Sequence, residues 1–150
     1  MKGLVNVSHE EAFSFDQVGE GLLRHAQRPL GLGKLANPQG LATGVGQCGD
    51  SVEVGLRVVG ETIDAIGVVP KGCVYTLACA SALVSLVKGL TVEEALRLDP
   101  RDIEKELGGL PEDHVHCARL AVNTLGEAIE DYLRQQGPTR LVAASERSDS

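Results

Sequence analysis

Four cysteines set the chemical question: Cys48, Cys73, Cys79 and Cys117, spaced by 25, 6 and 38 positions. In a reducing compartment such thiols are structural, catalytic or metal-binding rather than disulfide partners. None belongs to a CxxC pair, so the usual signature of zinc ribbons and thioredoxin-like redox sites is missing. Cys48-Gly49-Asp50 sets a thiol and a carboxylate two positions apart across a glycine, which lets the backbone fold tightly enough for both to address one point. Gly72-Cys73 precedes a long apolar run, and a thiol at a helix start is favoured as the thiolate, the nucleophilic and metal-binding form. His116-Cys117 joins an imidazole to a thiol at the opening of another helix. His114 competes with His116, because 114 and 117 are i, i+3 neighbours while 116 and 117 are about 100° apart. Spacing alone does not choose between them.

Cys79 stands apart. It follows Cys73 by six residues, about 240° away on the helical wheel and roughly 9 Å along the axis, so the two do not readily ligate one ion. It shares a face with Leu83 and Leu86 and reads as a small buried hydrophobe. His25 flanks an amphipathic stretch and reads as a surface residue.

The elements that must position these groups follow from periodicity and punctuation. Residues 1–13 have no usable period and read as a flexible arm. Ser14-Phe-Asp-Gln17 is a capping box that opens a short helix to about Gln27. Leu41–Val45 is a candidate edge strand; Val52, Val54, Leu56 and Val58 alternate with polar or small residues, and Ile63–Val69 returns as the hairpin partner. Residues 74–88 form an almost wholly apolar helix with a polar stripe at Ser81, Ser85 and Lys88, expected to lie on the sheet. Thr91–Glu94 and Asp99-Pro100 start two short helices, the latter ended by Gly108-Gly109. A last helix begins near Pro111–Asp113 and turns Ala118, Ala121, Val122, Leu125, Ile129 and Leu133 inward. Residues 137–150 read as a disordered tail. The expected fold is a single α+β domain over 14–136, a small antiparallel sheet of about three strands with helices packed on one face.

Charge narrows the partners. The chain has 150 residues with 14 Lys+Arg against 21 Asp+Glu, a net charge of −7. A non-specific nucleic-acid grip needs the opposite surplus, and aromatics at 3% without Trp leave no stacking platform for single strands. No apolar run approaches the roughly 20 residues that span a bilayer, and the start of the chain turns acidic before any signal-peptide core. The expectation is a cytoplasmic protein with no nucleic-acid or membrane partner.

Cys48-Gly49-Asp50, Gly72-Cys73 with its Ala/Ser-rich helix, the run Val87-Lys88-Gly89-Leu90-Thr91-Val92-Glu93-Glu94-Ala95-Leu96, and His116-Cys117 together resemble the IscU/NifU-type iron–sulfur cluster assembly scaffolds. The similarity spans about residues 14 to 134, including the first helix with its Arg28-Pro29 end. It implies a SufE/IscU-like fold and a non-enzymatic scaffold on which a transient [2Fe–2S] cluster is built from ferrous iron and sulfur from a cysteine desulfurase, then passed to acceptor apoproteins. It implies Cys48, Cys73 and Cys117 as cluster ligands, Asp50 as the carboxylate tied to cluster lability, and His116 as the alternative ligand. It further implies that these groups bind Zn2+ when no cluster is present and that Cys117 takes the persulfide, although a helix-start thiolate favours Cys73. A monomer or weak homo-oligomer is expected.

Two departures qualify the resemblance. Where the housekeeping branch carries Leu-Pro-Pro-Val-Lys, a recognition site for a dedicated Hsp70-type chaperone, this chain reads Leu110-Pro111-Glu112-Asp113-His114, so dependence on that chaperone is not implied. Full-length NifU proteins continue into a ferredoxin-like domain with further cysteines, whereas this chain resembles a free-standing N-terminal domain. The 44 positions from Cys73 to Cys117, with His116 present, weigh against the SufU-type zinc sulfurtransferases, which carry an insertion there and lack this histidine. A zinc-dependent sulfur acceptor and a structural zinc adaptor are the alternatives to the scaffold.

Overall fold

The computed structural model describes Gly21, Arg24, His25 and residues 32–47 and 49–136. The arm at 1–13, most of the first expected helix, Cys48 and the tail at 137–150 lie outside these residues; Gly21, Arg24 and His25 are helical, as expected.

Three antiparallel strands lie in the order β1 (Gly40–Val45), β2 (Ser51–Val59), β3 (Thr62–Lys71). Val54 pairs with Val68 and Leu56 with Ile66, before the register shifts between Arg57 and Val58. The alternation in β2 does what a period of two requires: Val52, Val54, Leu56 and Val58 are buried on one face, joined there by Ile63, Ile66 and Val68 of β3. Two long helices cover that face, α1 (Val74–Val87) over β3 and α4 (Val115–Gln135) over β1 and β2. The short α2 (Val92–Leu96) and α3 (Pro100–Leu107) close the end of the layer. A five-residue helix cannot meet its own nucleation cost. The Thr91/Glu94 capping box, worth about 1 kcal/mol, and burial of Ala95 hold α2 in place.

The close approach of α4 to β1 depends on missing side chains. A Cβ at Gly40 would meet the Ala128 carbonyl and Tyr132, and one at Gly44 would meet the Thr124 hydroxyl. The inner face of β1 therefore reads Gly40, Ala42, Gly44, a strip of small residues into which α4 settles. Leu41 N–H donates to Asp131 Oδ2 at 2.9 Å and fixes the same pair of elements from the outer side.

Three expectations need correction. The last α-helix starts at Val115, because Pro111 is extended and Glu112–His114 forms a 3₁₀ turn closed by His114 N–H to the Pro111 carbonyl at 2.9 Å. The polar stripe of α1 is only partly a solvent face: Ser85 and Lys88 are exposed, but Ser81 is 0% exposed. The reason is His25, which is no surface residue. It is 2% exposed, with Nδ1 2.7 Å from Ser81 Oγ and Nε2 2.8 Å from Glu106 Oε2. This buried link ties the N-terminal segment to α1 and α3. Its polar atoms are matched, as burial demands.

Ser81→Ala takes one partner from a buried imidazole and should cost about 1–3 kcal/mol. The expected result is a lower urea midpoint with an unchanged slope.

Candidate metal centre

The chain brings the ends of three elements together. The turn from β1 to β2 delivers Asp50, the N-terminus of α1 delivers Cys73, and the start of α4 delivers Cys117 with His114 and His116 beside it. Cys73 is the N-cap residue of α1, in extended conformation, and its thiol is exposed. Cys117 is 0% exposed. Asp50 is half-buried, and Gly72 explains how its carboxylate fits: a Cβ there would stand 2.8 Å from Asp50 Cγ and 2.9 Å from Thr76 Oγ1.

Thr76, one turn into α1, joins these groups. Its hydroxyl donates to Asp50 Oδ2 at 2.6 Å and lies 3.7 Å from Cys73 Sγ and 3.6 Å from Cys117 Sγ. Cys117 Sγ is 3.9 Å from the same Asp50 oxygen and 3.7 Å from His116 Nε2. Possible ligand atoms fall into two overlapping sets, Cys73 with His114 and Cys117, and Asp50 with His116 and Cys117. Within each set the atoms lie within 4.8 Å of one another. The two imidazoles that sequence spacing left tied therefore both reach the site, each in a set that includes Cys117.

Of the residues singled out from sequence, Asp50, Cys73, His116 and Cys117 converge, and Cys48 lies outside the described residues. Cys79 is wholly buried on α1, and burial pushes its thiol pKa up. Sequence reasoning missed Thr76 and Tyr75. Thr76 had a readable signal, its i, i+3 spacing from a helix-start cysteine. Tyr75 stacks on the His114 ring with centroids 3.9 Å apart and planes 20° from parallel, a pairing across 39 positions that no local pattern announces.

The electrostatics run against a free thiolate at Cys117. Burial pushes its pKa up to about 12; the Thr76 hydrogen bond pulls it back, and the nearby Cys73 and Asp50 charges add to the rise. Tyr75 is likewise raised, by burial first and then by Cys73, Asp113 and Cys117. A cluster of this kind is short of positive charge. Thiolate, imidazole and carboxylate at mutual ligand distances suit a divalent transition metal, the soft donors favouring zinc or iron over magnesium or calcium.

The family model of the NifU-like N-terminal domain matches residues 18–139. The chain belongs to that family. Among relatives of this NifU-like domain, the iron–sulfur cluster assembly scaffold protein IscU 1 of Archaeoglobus fulgidus is 36% identical over 114 residues, spanning 75% of this chain and 74% of its own. The IscU scaffold protein of Aquifex aeolicus is 38% identical over 128 residues, spanning 81% and 79%. The N-terminal NifU-like protein of Brucella abortus has the same fold, with a TM-score of 0.58 at 23% identity over 76% of this chain and 92% of that one. A putative SUF-system scaffold protein of Fervidobacterium islandicum gives a TM-score of 0.61 at 18% identity, covering 78% and 99%. The α+β sheet-and-helix architecture of the NifU-like domain is thus a family property. The wide cleft of this chain, lined by Asp99, Arg101, Asp102, Glu104, Lys105, Gly108 and Gly109, contains neither thiol nor imidazole.

In the metal-free protein Cys73 should alkylate readily at pH 8, while Cys117 and Cys79 resist. The Cys117 rate should climb about tenfold per pH unit over the range below its pKa. Iodoacetamide labelling with peptide mass spectrometry reads each thiol separately.

Proposed function

We propose that this NifU-like domain is a scaffold that assembles [2Fe–2S] clusters from ferrous iron and sulfur supplied by a cysteine desulfurase and passes them to acceptor apoproteins in the cytoplasm. The observation that carries the reading is the convergence of Asp50, Cys73 and Cys117 around the Thr76 hydroxyl, with His116 beside Cys117. Relatives that are named scaffolds support it, as do the unpaired thiols of Cys73, Cys79 and Cys117, which suit a reducing compartment. Among the described residues no helix is long and apolar enough to cross a membrane.

Each group has a part in this scheme. Cys73 and Cys117 hold the growing cluster, with Cys48 as the third thiolate; Fe–S clusters are held by cysteine thiolates and in some centres by histidine. Asp50 and His116 fill the remaining position, and a hard carboxylate among soft thiolates makes that position the labile one. Sulfur arrives when a thiolate of the scaffold attacks the outer sulfur of the desulfurase persulfide. A new S–S bond forms as the old one breaks and the desulfurase cysteine leaves as thiolate, so the transfer is redox-neutral. Each transferred sulfur then takes two electrons to become sulfide, from ferrous iron and a thiol reductant such as the cysteine in the assembly mixture. Cys117 is the proposed acceptor. Its metal-free thiol holds its proton too tightly to attack at neutral pH, so Cys117 becomes the nucleophile once a divalent cation beside it displaces that proton. The scaffold turns over no substrate by itself, so we place it outside the enzymes.

Anaerobic incubation with ferrous iron, cysteine and a cysteine desulfurase should produce sulfide-to-iron charge-transfer bands in the wild type and not in Cys73→Ser. A flat spectrum with retained zinc and faster desulfurase turnover would instead establish a zinc-dependent sulfur acceptor. The Asp50→Ala cluster should decay more slowly in air than the wild-type cluster, read as bleaching of the same bands; an equal decay rate would remove Asp50 from the labile position.

A further inference from the structure

His114 offers a ligand that the scaffold reading does not use. One of its ring nitrogens lies with Cys73 Sγ and Cys117 Sγ, all within 4.8 Å of one another. Its Nδ1 is buried and has no hydrogen-bond partner among the described residues. The large majority of buried side-chain polar atoms in native proteins are paired, so an unpaired nitrogen on an imidazole that has Cys73 and Cys117 within ligand distance calls for an explanation. An ion is the simplest one, since a neutral imidazole nitrogen without a proton is a metal donor.

The ring is also held as a ligand should be. Tyr75 stacks on it at 3.9 Å, and the 3₁₀ turn fixes the His114 backbone through its N–H to the Pro111 carbonyl at 2.9 Å. Packing that fixes a donor before metal arrives is what gives a site a defined geometry. His116, with its ring centroid 6.0 Å from that of His114, belongs to the other set, with Asp50. The two sets differ in kind. Cys73, His114 and Cys117 give two sulfurs and a nitrogen, suited to Zn2+ or Fe2+ in tetrahedral geometry, whereas Asp50, His116 and Cys117 give one sulfur, one nitrogen and one oxygen.

We infer that His114 ligates a single divalent metal ion together with Cys73 and Cys117, leaving Asp50 and His116 as the other half of the site and Cys117 common to both. The inference rests on the scaffold reading only in taking these residues as the metal centre, and it concerns one ion bound without sulfide. Two donor sets that share one thiolate give a first ion a place to settle while the carboxylate set still has donors for a second.

The test uses the full metal-free chain with one equivalent of 113Cd2+. Proton–cadmium coupling in the NMR spectrum should appear on the ring protons of His114. Coupling confined to His116, or found on no histidine, overturns the inference. In parallel, Co2+ titration should give thiolate-to-cobalt bands in the wild type, with affinity lowered at least tenfold in His114→Gln; an unchanged affinity also overturns it. The cadmium experiment needs no variant, so a folding defect in His114→Gln leaves the inference open to refutation. Cadmium coupling to His114 without cluster formation from iron and a desulfurase would sink the scaffold reading alone. Cluster formation without that coupling would sink the inference alone.

Discussion

The site depends on a thiol that the fold buries completely. Cys117 is sealed under the start of α4 with an acid at 3.9 Å and a second thiol sharing its Thr76 partner. Burial and neighbouring negative charge both oppose ionisation, and together they outweigh the one hydrogen bond that favours it. Such a group is inert alone and becomes a strong ligand when a cation arrives, because the ion supplies the positive charge that the surroundings lack. Ligand formation and proton release are then one event. Cys73, by contrast, is exposed at the N-terminus of α1. Of two thiols at one centre, one is open to solvent and the other is buried where ionisation needs a cation beside it.

The packing serves this arrangement. α4 reaches the sheet closely only because the inner face of β1 is Gly40, Ala42 and Gly44, and that approach carries Cys117 down beside the turn that holds Asp50. Gly72 leaves the space in which the Asp50 carboxylate meets Thr76. α1 is buried on almost every side, against β3, α3 and α4, so its N-terminus cannot shift without disturbing the whole core. His25 adds to this by pinning Ser81 in the middle of α1 and Glu106 on α3. The rigid part of the molecule is therefore the helix that aims Cys73 and Thr76.

Much of this was legible in the residues. The period of two in Val52–Val58, the capping boxes at Thr91 and Asp99, and the Gly108 stop all describe local physics, and local physics is what a sequence states directly. The convergence of Asp50, Cys73, His116 and Cys117 was legible through their positions at element ends and through family resemblance. The failures have a common cause. A buried His25 with Ser81 across 56 positions, a Tyr75–His114 stack, and the 3₁₀ turn that delays α4 are decided by tertiary partners. On α1, Ser81 takes the place of an outward polar residue in the pattern, and only its partner turns it into a core residue. The tie that spacing left between His114 and His116 is of another kind. It assumed one answer, and the fold brings both to Cys117.

A scaffold must hold its product firmly enough to build it and weakly enough to release it. Four buried thiolates would satisfy the first demand and defeat the second. Here the donors are mixed in hardness and in exposure: a sealed sulfur, an open sulfur, a half-buried carboxylate and two half-buried imidazoles. In the proposed scheme the sealed sulfur would supply retention, since a buried thiolate stripped of its cation would carry a large desolvation penalty. The open sulfur and the carboxylate would supply the exit, since they lie nearer to water. Asp50 accepts from the Thr76 hydroxyl, so a carboxylate acting as the labile ligand of the proposed scheme would keep a partner on leaving the metal. That second partner would lower the cost of release without moving the backbone. The same hydroxyl sits within 3.7 Å of both thiols, so departure of the carboxylate and the state of the two sulfurs are coupled through one side chain.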